Sequence, residues 1–356
     1  MLLRKIAVLA LAVSGLMAQE ELPDRRFRIT VSEVVVPVTV MTRGGTYVSG
    51  LEATDFRLYD NEKLQDIRLD VTYNPISMVV AIQRNSDVQG LLPQVTKIGN
   101  MLEAMVIGEH GEAALLAFDH RLKWLTEFTN DGAKFSEALQ GLMPGSSSSR
   151  LIDAVFESIN KLRNRPEDHR KILLLISEVR DKSSEGRVRD ALIEAEFQNV
   201  IVYTINMNRA MAAFTKKAPP PRPDPFPVAS RSMPAGVVAA TPHNVNQLRG
   251  DQSLNFVPVI TEIFTQVKGI FIPNQAEVFT RYTGGREYSF ATLSGLEEAL
   301  SDLGEELQSQ YILSYSPNNM DEGGYHEIRV EVNRPALEVR TRPGYWMASK
   351  FSDTPQ

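Results

Sequence analysis

Four short segments that are apolar at nearly every residue place the strongest constraint on how this chain folds. A continuous apolar strand is typical of a parallel strand that is covered on both faces. Segments with helical spacing separate these strands, and strands that alternate with helices of this length predict a parallel α/β sheet. The four segments cover residues 76–82, 113–118, 171–176 and 200–205.

Helices are predicted between and after those strands. Asp131 is placed to cap a helix that ends at Leu142, and Ser149 to cap a helix over residues 150–164. Residues 122–125 follow the second apolar strand closely and predict its hairpin partner. The spacing of Val95, Ile98, Leu102 and Met105 predicts a helix after the first strand. Other predicted helices cover residues 188–197, 256–268, 275–282 and 296–309.

Both ends of the chain favour short antiparallel strands instead. The N-terminal part is rich in β-branched residues, with turns at residues 43–46 and 60–62, and the last strands alternate apolar with polar residues. Pro37 stands inside one strand and predicts an edge position or a bulge, because proline cannot donate to the ladder. The predicted strands of the two ends cover residues 27–31, 34–40, 47–48, 55–59, 65–69, 311–315, 326–332 and 336–340. One further short strand is predicted at residues 287–290, within the α/β domain.

The order of these patterns predicts a β-sandwich formed by N- and C-terminal strands, with the α/β domain inserted between them. A length of 356 residues fits about two domains. The predicted segments are a signal peptide at 1–18, a linker at 19–26, the N-terminal half of the sandwich at 27–73, the α/β domain at 74–310 with a proline-rich insertion at 216–250, C-terminal strands at 311–347 and a disordered tail at 348–356.

The N-terminus has the pattern of a secretory signal peptide. Arg4 and Lys5 precede an apolar run over residues 6–13, and small residues then lead to a cleavage site after Ala18. The run is too short for a transmembrane helix, and no later segment approaches about 20 consecutive apolar residues. We therefore expect a secreted or periplasmic protein with no transmembrane segment after signal cleavage.

Composition excludes several kinds of chemistry. The chain has no cysteine, which excludes thiolate catalysis, iron–sulfur clusters, thiolate zinc sites and disulfides. It carries 38 Lys and Arg against 44 Asp and Glu, a net charge of −6. A mildly acidic chain argues against a nucleic-acid-coating surface.

Residues 219–242 contain 8 of the 20 prolines, which no regular element tolerates. The run Pro219-Pro220-Pro221-Arg222-Pro223 could present a polyproline II helix to an aromatic groove. A solvated spacer is the alternative, and the sequence leaves both open.

Several short motifs, in one order, resemble those of the von Willebrand factor A-related domain proteins found in acidobacteria. This resemblance covers residues 27–346 and implies an exported protein whose middle is a Rossmann-like von Willebrand A domain. The motifs that carry it are Val36-Pro37-Val38-Thr39-Val40, Gly50-Leu51, Asp55-Phe56-Arg57-Leu58-Tyr59-Asp60, Tyr282-Thr283-Gly284-Gly285, Gln310-Tyr311-Ile312-Leu313-Ser314-Tyr315 and Arg342-Pro343-Gly344-Tyr345.

The resemblance also implies the position of a metal-ion-dependent adhesion site, in which oxygen ligands from three loops hold magnesium beside a partner's carboxylate. In this chain none of the five positions keeps the family residue, although all five still offer an oxygen. We therefore expect a degenerate site, with no cofactor favoured and Mg²⁺ or Mn²⁺ as the alternative. The five positions fall on Gln83, Asn85, Asp87, Ser149 and Glu178.

We expect a non-enzymatic protein-interaction or adhesion module that presents loops 83–90, 145–150 and 178–186 to a protein partner. One alternative is magnesium-dependent adhesion through Asp87, Ser149 and Glu178. The other is an exported hydrolase with an unrecognised site, although the serines at 146–149 lie in no Gly-x-Ser-x-Gly elbow. Partner identity and oligomeric state stay open.

Overall fold

A computed structural model describes residues 33–70, 75–103, 111–207, 274–320, 322 and 324–347. The strands are β1 (Val34–Thr42), β2 (Phe56–Asp60), β3 (Lys63–Leu64), β4 (Ile67–Asp70), β5 (Ile76–Gln83), β6 (Glu112–Phe118), β7 (Leu122–Thr129), β8 (Arg170–Ser177), β9 (Ile201–Met207), β10 (Glu287–Phe290), β11 (Tyr311–Tyr315), β12 (Gly324–Val332), β13 (Leu337–Thr341) and β14 (Gly344–Met347). The α-helices are α1 (Leu92–Val95), α2 (Gly99–Leu102), α3 (Gly132–Gln140), α4 (Leu151–Arg163), α5 (Val188–Phe197), α6 (Gln275–Thr283) and α7 (Leu293–Ser309). A 3₁₀ turn covers Ala53–Asp55.

The four apolar segments form the centre of a six-stranded sheet with the order β10-β9-β8-β5-β6-β7. All neighbours in it are parallel except β6 and β7, which pair as the predicted antiparallel hairpin. The prediction of an α/β fold with a parallel sheet is thus confirmed. Counted from β5, this is the order 3-2-1-4-5-6 of a doubly wound Rossmann-like sheet.

Helices cover both faces of this sheet, which explains why its strands are apolar throughout. Met78, Val80 and Ile82 of β5 pack into a core with α1, α2, α3 and α7. Val79 and Ala81 point to the other face and pack into a core with α4, α5 and α6. Successive side chains of a strand point to opposite faces, so each face of β5 needs an apolar surface.

Strands from the two ends of the chain pair with each other in two four-stranded sheets. One has the order β13-β1-β11-β4, and the other the order β14-β12-β2-β3. All their pairings are antiparallel, and apolar side chains from both sheets share one hydrophobic cluster. The interpretation as a β-sandwich and the predicted domain limits stay predictions.

Pro37 corrects one expectation, because β1 is an interior strand between β13 and β11. Pro37 pairs with Ile312 of β11, whereas the ladder to β13 begins only at Val38. Proline therefore has a strand on one side only, and the strand accommodates it without lying at the edge of the sheet.

The segment after β5 also differs from the prediction. Val95, Ile98 and Leu102 are buried as expected, but they do not lie on one continuous helix, because Val95 ends α1, Ile98 is the N-cap residue before α2, and Leu102 ends α2. A Cβ on Gly99, where α2 begins, would lie 2.6 Å from Ser136 Oγ of α3. Close packing between α2 and α3 thus requires glycine at this position.

Several predictions lie outside the described residues. They are the signal peptide at 1–18, the linker at 19–26, the strand at 27–31, the helical position Met105, the proline-rich insertion at 216–250, the helix at 256–268 and the tail at 348–356. Among the helices that the structure does describe, none has the length and apolar character needed to span a membrane.

Candidate functional site

The predicted loops meet where the sheet changes direction. From β5 the chain continues to β6 on one side, whereas β8 is followed by β9 on the other side, so the loops after β5 and β8 diverge from adjacent strands. In open α/β sheets such a switch point at the carboxyl ends of the strands is where ligands bind. Loops 83–90 and 178–186 begin at this point.

Gln83 and Glu178 form the centre of the site, and both are buried. The backbone amide of Glu178 donates to Gln83 Oε1 at 3.0 Å, which fixes the orientation of the Gln83 amide. Gln83 Nε2 then donates to Glu178 Oε1 at 3.2 Å and to Asn85 Oδ1 at 3.0 Å. Three of the five predicted positions are therefore joined by hydrogen bonds.

Asp87 joins the same cluster from the outer side. Asn85 Nδ2 donates to Asp87 Oδ2 at 3.5 Å, and the ammonium of Lys182 contacts that same carboxylate oxygen. Lys182 Nζ also lies 3.8 Å from Glu178 Oε1. We refer to Gln83, Asn85, Asp87, Glu178 and Lys182 as the switch-point cluster.

Ser149 is buried next to the 178–186 loop, but it does not cap α4 as the sequence predicted. Its Oγ donates to the carbonyl of Arg180 at 3.4 Å, and its own carbonyl accepts from the backbone amides of Lys182 and Ser183. The N-cap residue of α4 is Arg150, which makes no capping hydrogen bond. Ser149 thus links two loops through mostly backbone contacts.

Asp181 caps α4 instead. Its Oδ1 accepts from the backbone amide of Leu151 at 2.7 Å, and Oδ2 accepts from Ser184 N. Asp153, in the first turn of α4, accepts from the backbone amide of Gly186 at the end of the same loop, at 2.8 Å. A carboxylate near the N-terminus of a helix satisfies amides that have no partner within the helix. These contacts fix the 178–186 loop on α4.

Asp119, directly after β6, holds the third loop in place. This buried carboxylate accepts from the backbone amides of Ser146 and Arg121, each at 2.8 Å, and Arg84 Nη2 lies 3.4 Å away. Burial alone would raise the pKa of Asp119, but these two amides and the Arg84 charge lower it below its usual value. No motif marks Asp119, although its position at the end of a parallel strand was a signal that sequence reasoning did not use.

Gly145 allows this arrangement, because a Cβ there would lie 2.2 Å from Asp119 Oδ2. The Gly145 amide donates to the carbonyl of Arg84 at 2.7 Å, and Ser86 N donates to the carbonyl of Ser146 at 2.8 Å. The predicted loops 83–90 and 145–150 are therefore in backbone contact. All three predicted loops lie at one edge of the sheet.

The switch-point cluster does not fit a magnesium ion. Mg²⁺ requires oxygen ligands in near-octahedral geometry. Here the NH₂ group of Gln83 points at the oxygens of Asn85 and Glu178, and the Lys182 ammonium lies beside both carboxylates. The described ranges contain no group of three or more His, Cys, Asp or Glu placed to hold a metal.

Two contacts between serine and histidine occur in the described part of the chain. Ser146 Oγ lies 2.7 Å from His120 Nδ1, and buried Ser77 Oγ lies 2.8 Å from His169 Nδ1. In each case the nearby carboxylate, Asp119 or Glu112, approaches the same Nδ1 nitrogen. A catalytic triad needs the serine and the acid on opposite ring nitrogens, so neither contact has that arrangement.

The chain matches no protein-family model and no curated protein. Solved structures match it at low similarity. One is BatB from Bacteroides thetaiotaomicron, at 12% identity over 37% of this chain and 66% of that chain, with a TM-score of 0.32. Another is an aerotolerance-related membrane protein from Bacteroides fragilis, at 10% identity over 65% of this chain and 98% of that chain, with a TM-score of 0.38. The SpRpn10 VWA domain matches at 13% identity over 40% of this chain and 80% of that chain, with a TM-score of 0.29.

Proposed function

We propose that the chain is an exported, non-enzymatic protein-interaction module of von Willebrand A type. It binds a protein partner through the edge of the six-stranded sheet formed by loops 83–90, 145–150 and 178–186, without a metal ion. In this proposal the two four-stranded sheets form a β-sandwich that carries the α/β domain.

The proposal rests mainly on the pairing of polar groups at the switch point. Gln83 donates to Asn85 and Glu178, and the Lys182 ammonium contacts Asp87, so the side chains of the cluster act as partners for one another. A metal ion is not needed to hold these loops together. A rigid loop edge at a sheet switch point is a site where binding is expected.

The exposed side chains on this edge suit a protein partner. Met143, next to the serine loop, has a relative exposure of 68% and is one of few large apolar side chains so exposed in the described residues. Arg180 and Ser147 are exposed nearby. Met and Arg are enriched in protein–protein interfaces, and Met adapts its shape to a partner.

Export is supported by the basic residues, apolar run and small residues at the N-terminus. The compartment that follows is the periplasm or the extracellular space. Cell fractionation of the producing organism tests this part separately, and a protein found only in the cytoplasm would contradict it.

The binding edge is tested by capture of envelope proteins on the immobilised chain, followed by titration with the purified captured protein. The double variant Met143→Asp/Arg180→Glu should lose binding at least roughly tenfold, because it places two negative charges on the exposed edge. The matched control is Glu167→Arg, a charge reversal in the α4–β8 loop at the opposite edge of the sheet. It should leave binding unchanged.

Removal of metal ions with a chelator distinguishes metal-independent binding from magnesium-dependent binding. Binding by the wild type should be the same in EDTA and in millimolar Mg²⁺. Binding that requires Mg²⁺ and disappears in Asp87→Ala would favour metal-dependent adhesion through Asp87, Ser149 and Glu178. Equal loss in the Glu167→Arg control would show that the partner does not bind this edge.

A further inference from the structure

We propose that Lys182 is a built-in cation of the switch-point cluster: its ammonium occupies the position where two carboxylates from separate loops would otherwise attract a metal ion. This inference deepens the metal independence stated in the proposed function. It concerns only the chain's own contacts, and its test does not use a partner.

The carboxylates create the need for a cation. Glu178 is almost fully buried, with 1% of its side chain exposed, and Asp87 from the neighbouring loop has 24% exposed. Burying an ionised carboxylate is costly unless it is paired and hydrogen-bonded. Lys182 contacts Asp87 Oδ2 and lies 3.8 Å from Glu178 Oε1, so one ammonium serves both carboxylates.

The backbone holds Lys182 in this position. Its amide donates to the carbonyl of Ser149 at 3.1 Å, while Asp181, the preceding residue, caps α4. The Lys182 backbone therefore contacts the 145–150 loop while its side chain reaches the 83–90 loop. A cation attached to one loop and contacting a second links them as a bound ion would, without an equilibrium of binding and release.

Gln83 makes a second barrier to a metal ion. The Glu178 amide donates to Gln83 Oε1 at 3.0 Å, so the NH₂ group faces the carboxylate side of the cluster. A divalent cation would have to displace the ammonium and also meet this NH₂ group. Changing both residues should therefore convert the cluster into a metal site, because Gln83→Asp supplies a further carboxylate and Lys182→Ala removes the internal cation.

The test is titration of purified protein with Mn²⁺ and with Mg²⁺, followed by calorimetry and thermal melting. The proteins are the wild type, Lys182→Ala, Gln83→Asp/Lys182→Ala and a control, Lys123→Ala, which removes an exposed lysine from β7. Circular dichroism and a cooperative melt confirm that each variant is folded.

The wild type and Lys123→Ala should show no saturable heat and no rise in melting temperature up to about 10 mM ion. The double variant should bind one Mn²⁺ at least roughly tenfold more tightly than the wild type and melt at a higher temperature with the ion. Lys182→Ala should fall between them. Wild-type binding as tight as that of the double variant would overturn the proposal, and so would a folded double variant that binds no ion.

If the double variant does not fold, chemical labelling of lysine amines in the wild type tests whether the Lys182 ammonium is held in the cluster. The Lys182 nitrogen must leave its carboxylate partners before it can attack a reagent, whereas the exposed Lys123 side chain is open to solvent. With an acetylating reagent and mass spectrometry, Lys182 should react roughly fivefold more slowly than Lys123, although 31% of its side chain is exposed. Equal rates would show that the ammonium is not held in the cluster.

Discussion

The Asp60–His326 pair and the switch-point cluster each place a basic side chain beside a carboxylate, and they differ in their surroundings. In the four-stranded sheets, His326 Nδ1 lies 2.7 Å from Asp60 Oδ1, and both side chains are completely buried. In the switch-point cluster the Lys182–Asp87 pair has 31% and 24% of its side chains exposed. The first pair is formed by strands and the second by loops.

The partners of Asp60 show what the buried pair does. The hydroxyls of Tyr315 and Tyr345 donate to Asp60 Oδ2 at 2.8 and 2.9 Å, and Asn319 Nδ2 donates to Oδ1 at 3.1 Å. Asp60, His326 and Tyr345 lie in the sheet of β2, β12 and β14, whereas Tyr315 lies in β11 of the other sheet. This cluster joins two sheets through buried side chains, while the switch-point cluster joins two loops and has two partly exposed members, Asp87 and Lys182. The two clusters therefore differ in whether solvent reaches their ion pair.

The largest expected effect is that of Asp60→Ala. It leaves a buried histidine and two tyrosine hydroxyls without their acceptor, and removal of one partner from a buried pair costs about 3–5 kcal/mol. Urea unfolding of the wild type and the variant measures the difference. Asp66→Ala, at an exposed position nearby, should change stability by less than about 0.5 kcal/mol. A loss below about 1 kcal/mol in Asp60→Ala would remove the contrast between the two clusters.

A smaller effect is expected at the loops. Asp181→Ala should destabilise the protein by about 1–2 kcal/mol, because it removes the acceptor of the α4 N-terminal amides. Ser149→Ala should cost less than about 0.5 kcal/mol, since the one hydrogen bond that its hydroxyl makes within the described residues is long, at 3.4 Å. Urea unfolding of Asp181→Ala and Ser149→Ala measures the two losses of stability. The reverse order would mean that Ser149 is the functional cap of the helix, as the sequence predicted.

The smallest expected effect is a change of the free energy of unfolding with pH. Burial would lower the pKa of His326, but hydrogen bonds to Asp60 and to the Glu322 carbonyl raise it above 6.5. Burial would likewise raise the pKa of Asp60, but the His326, Asn319 and tyrosine donors lower it below 3.8. The Asp60 contribution is present above pH 3.8 and lost as pH falls through its lowered pKa. The His326 contribution is present below pH 6.5 and lost as pH rises through its raised pKa.

The free energy of unfolding of the wild type should therefore fall as pH rises above 6.5 and through the raised pKa of His326, and His326→Gln should flatten this slope. Urea titrations between pH 5 and pH 9 measure it. His120→Gln is the control, because His120 is exposed on the 119–121 turn. A slope that persists in His326→Gln, or disappears in His120→Gln, would assign the dependence to another group.

Regular elements with a clear periodicity were predictable from the sequence. Continuous apolar strands identify a sheet covered on both faces, and α5 and β10 have the predicted bounds. The resemblance to von Willebrand A-related proteins implied that Gln83, Asn85, Asp87 and Glu178 lie together, and the strand order agrees, because parallel strands end at one edge of the sheet. These features depend on local pattern and on a small set of allowed topologies.

Features that depend on distant partners were not predictable. Asp60 belongs to a sequence typical of an exposed turn, Asp60-Asn61-Glu62, yet it is buried among side chains from the other end of the chain. In the sequence Lys182 resembles any solvated loop lysine, because only the folded structure brings its side chain to Asp87. Asp181 caps a helix that begins 30 residues earlier, as in its contact with Leu151. Local propensity contains no information on such contacts.

The pairing of the two chain ends has a consequence during synthesis. In the part of the chain that the structure describes, β1 pairs with β11 and β13, and β4 pairs with β11, so these early strands stay unpaired until the C-terminal strands have been made. Long-range pairing of this kind is slow, because the intervening chain must be closed into a loop first. The six-stranded sheet between them has all of its own strands earlier and can assemble before the ends meet. A nascent chain released before β11 would leave β4 and the apolar strand β1 unpaired, and unpaired strands are open to aggregation.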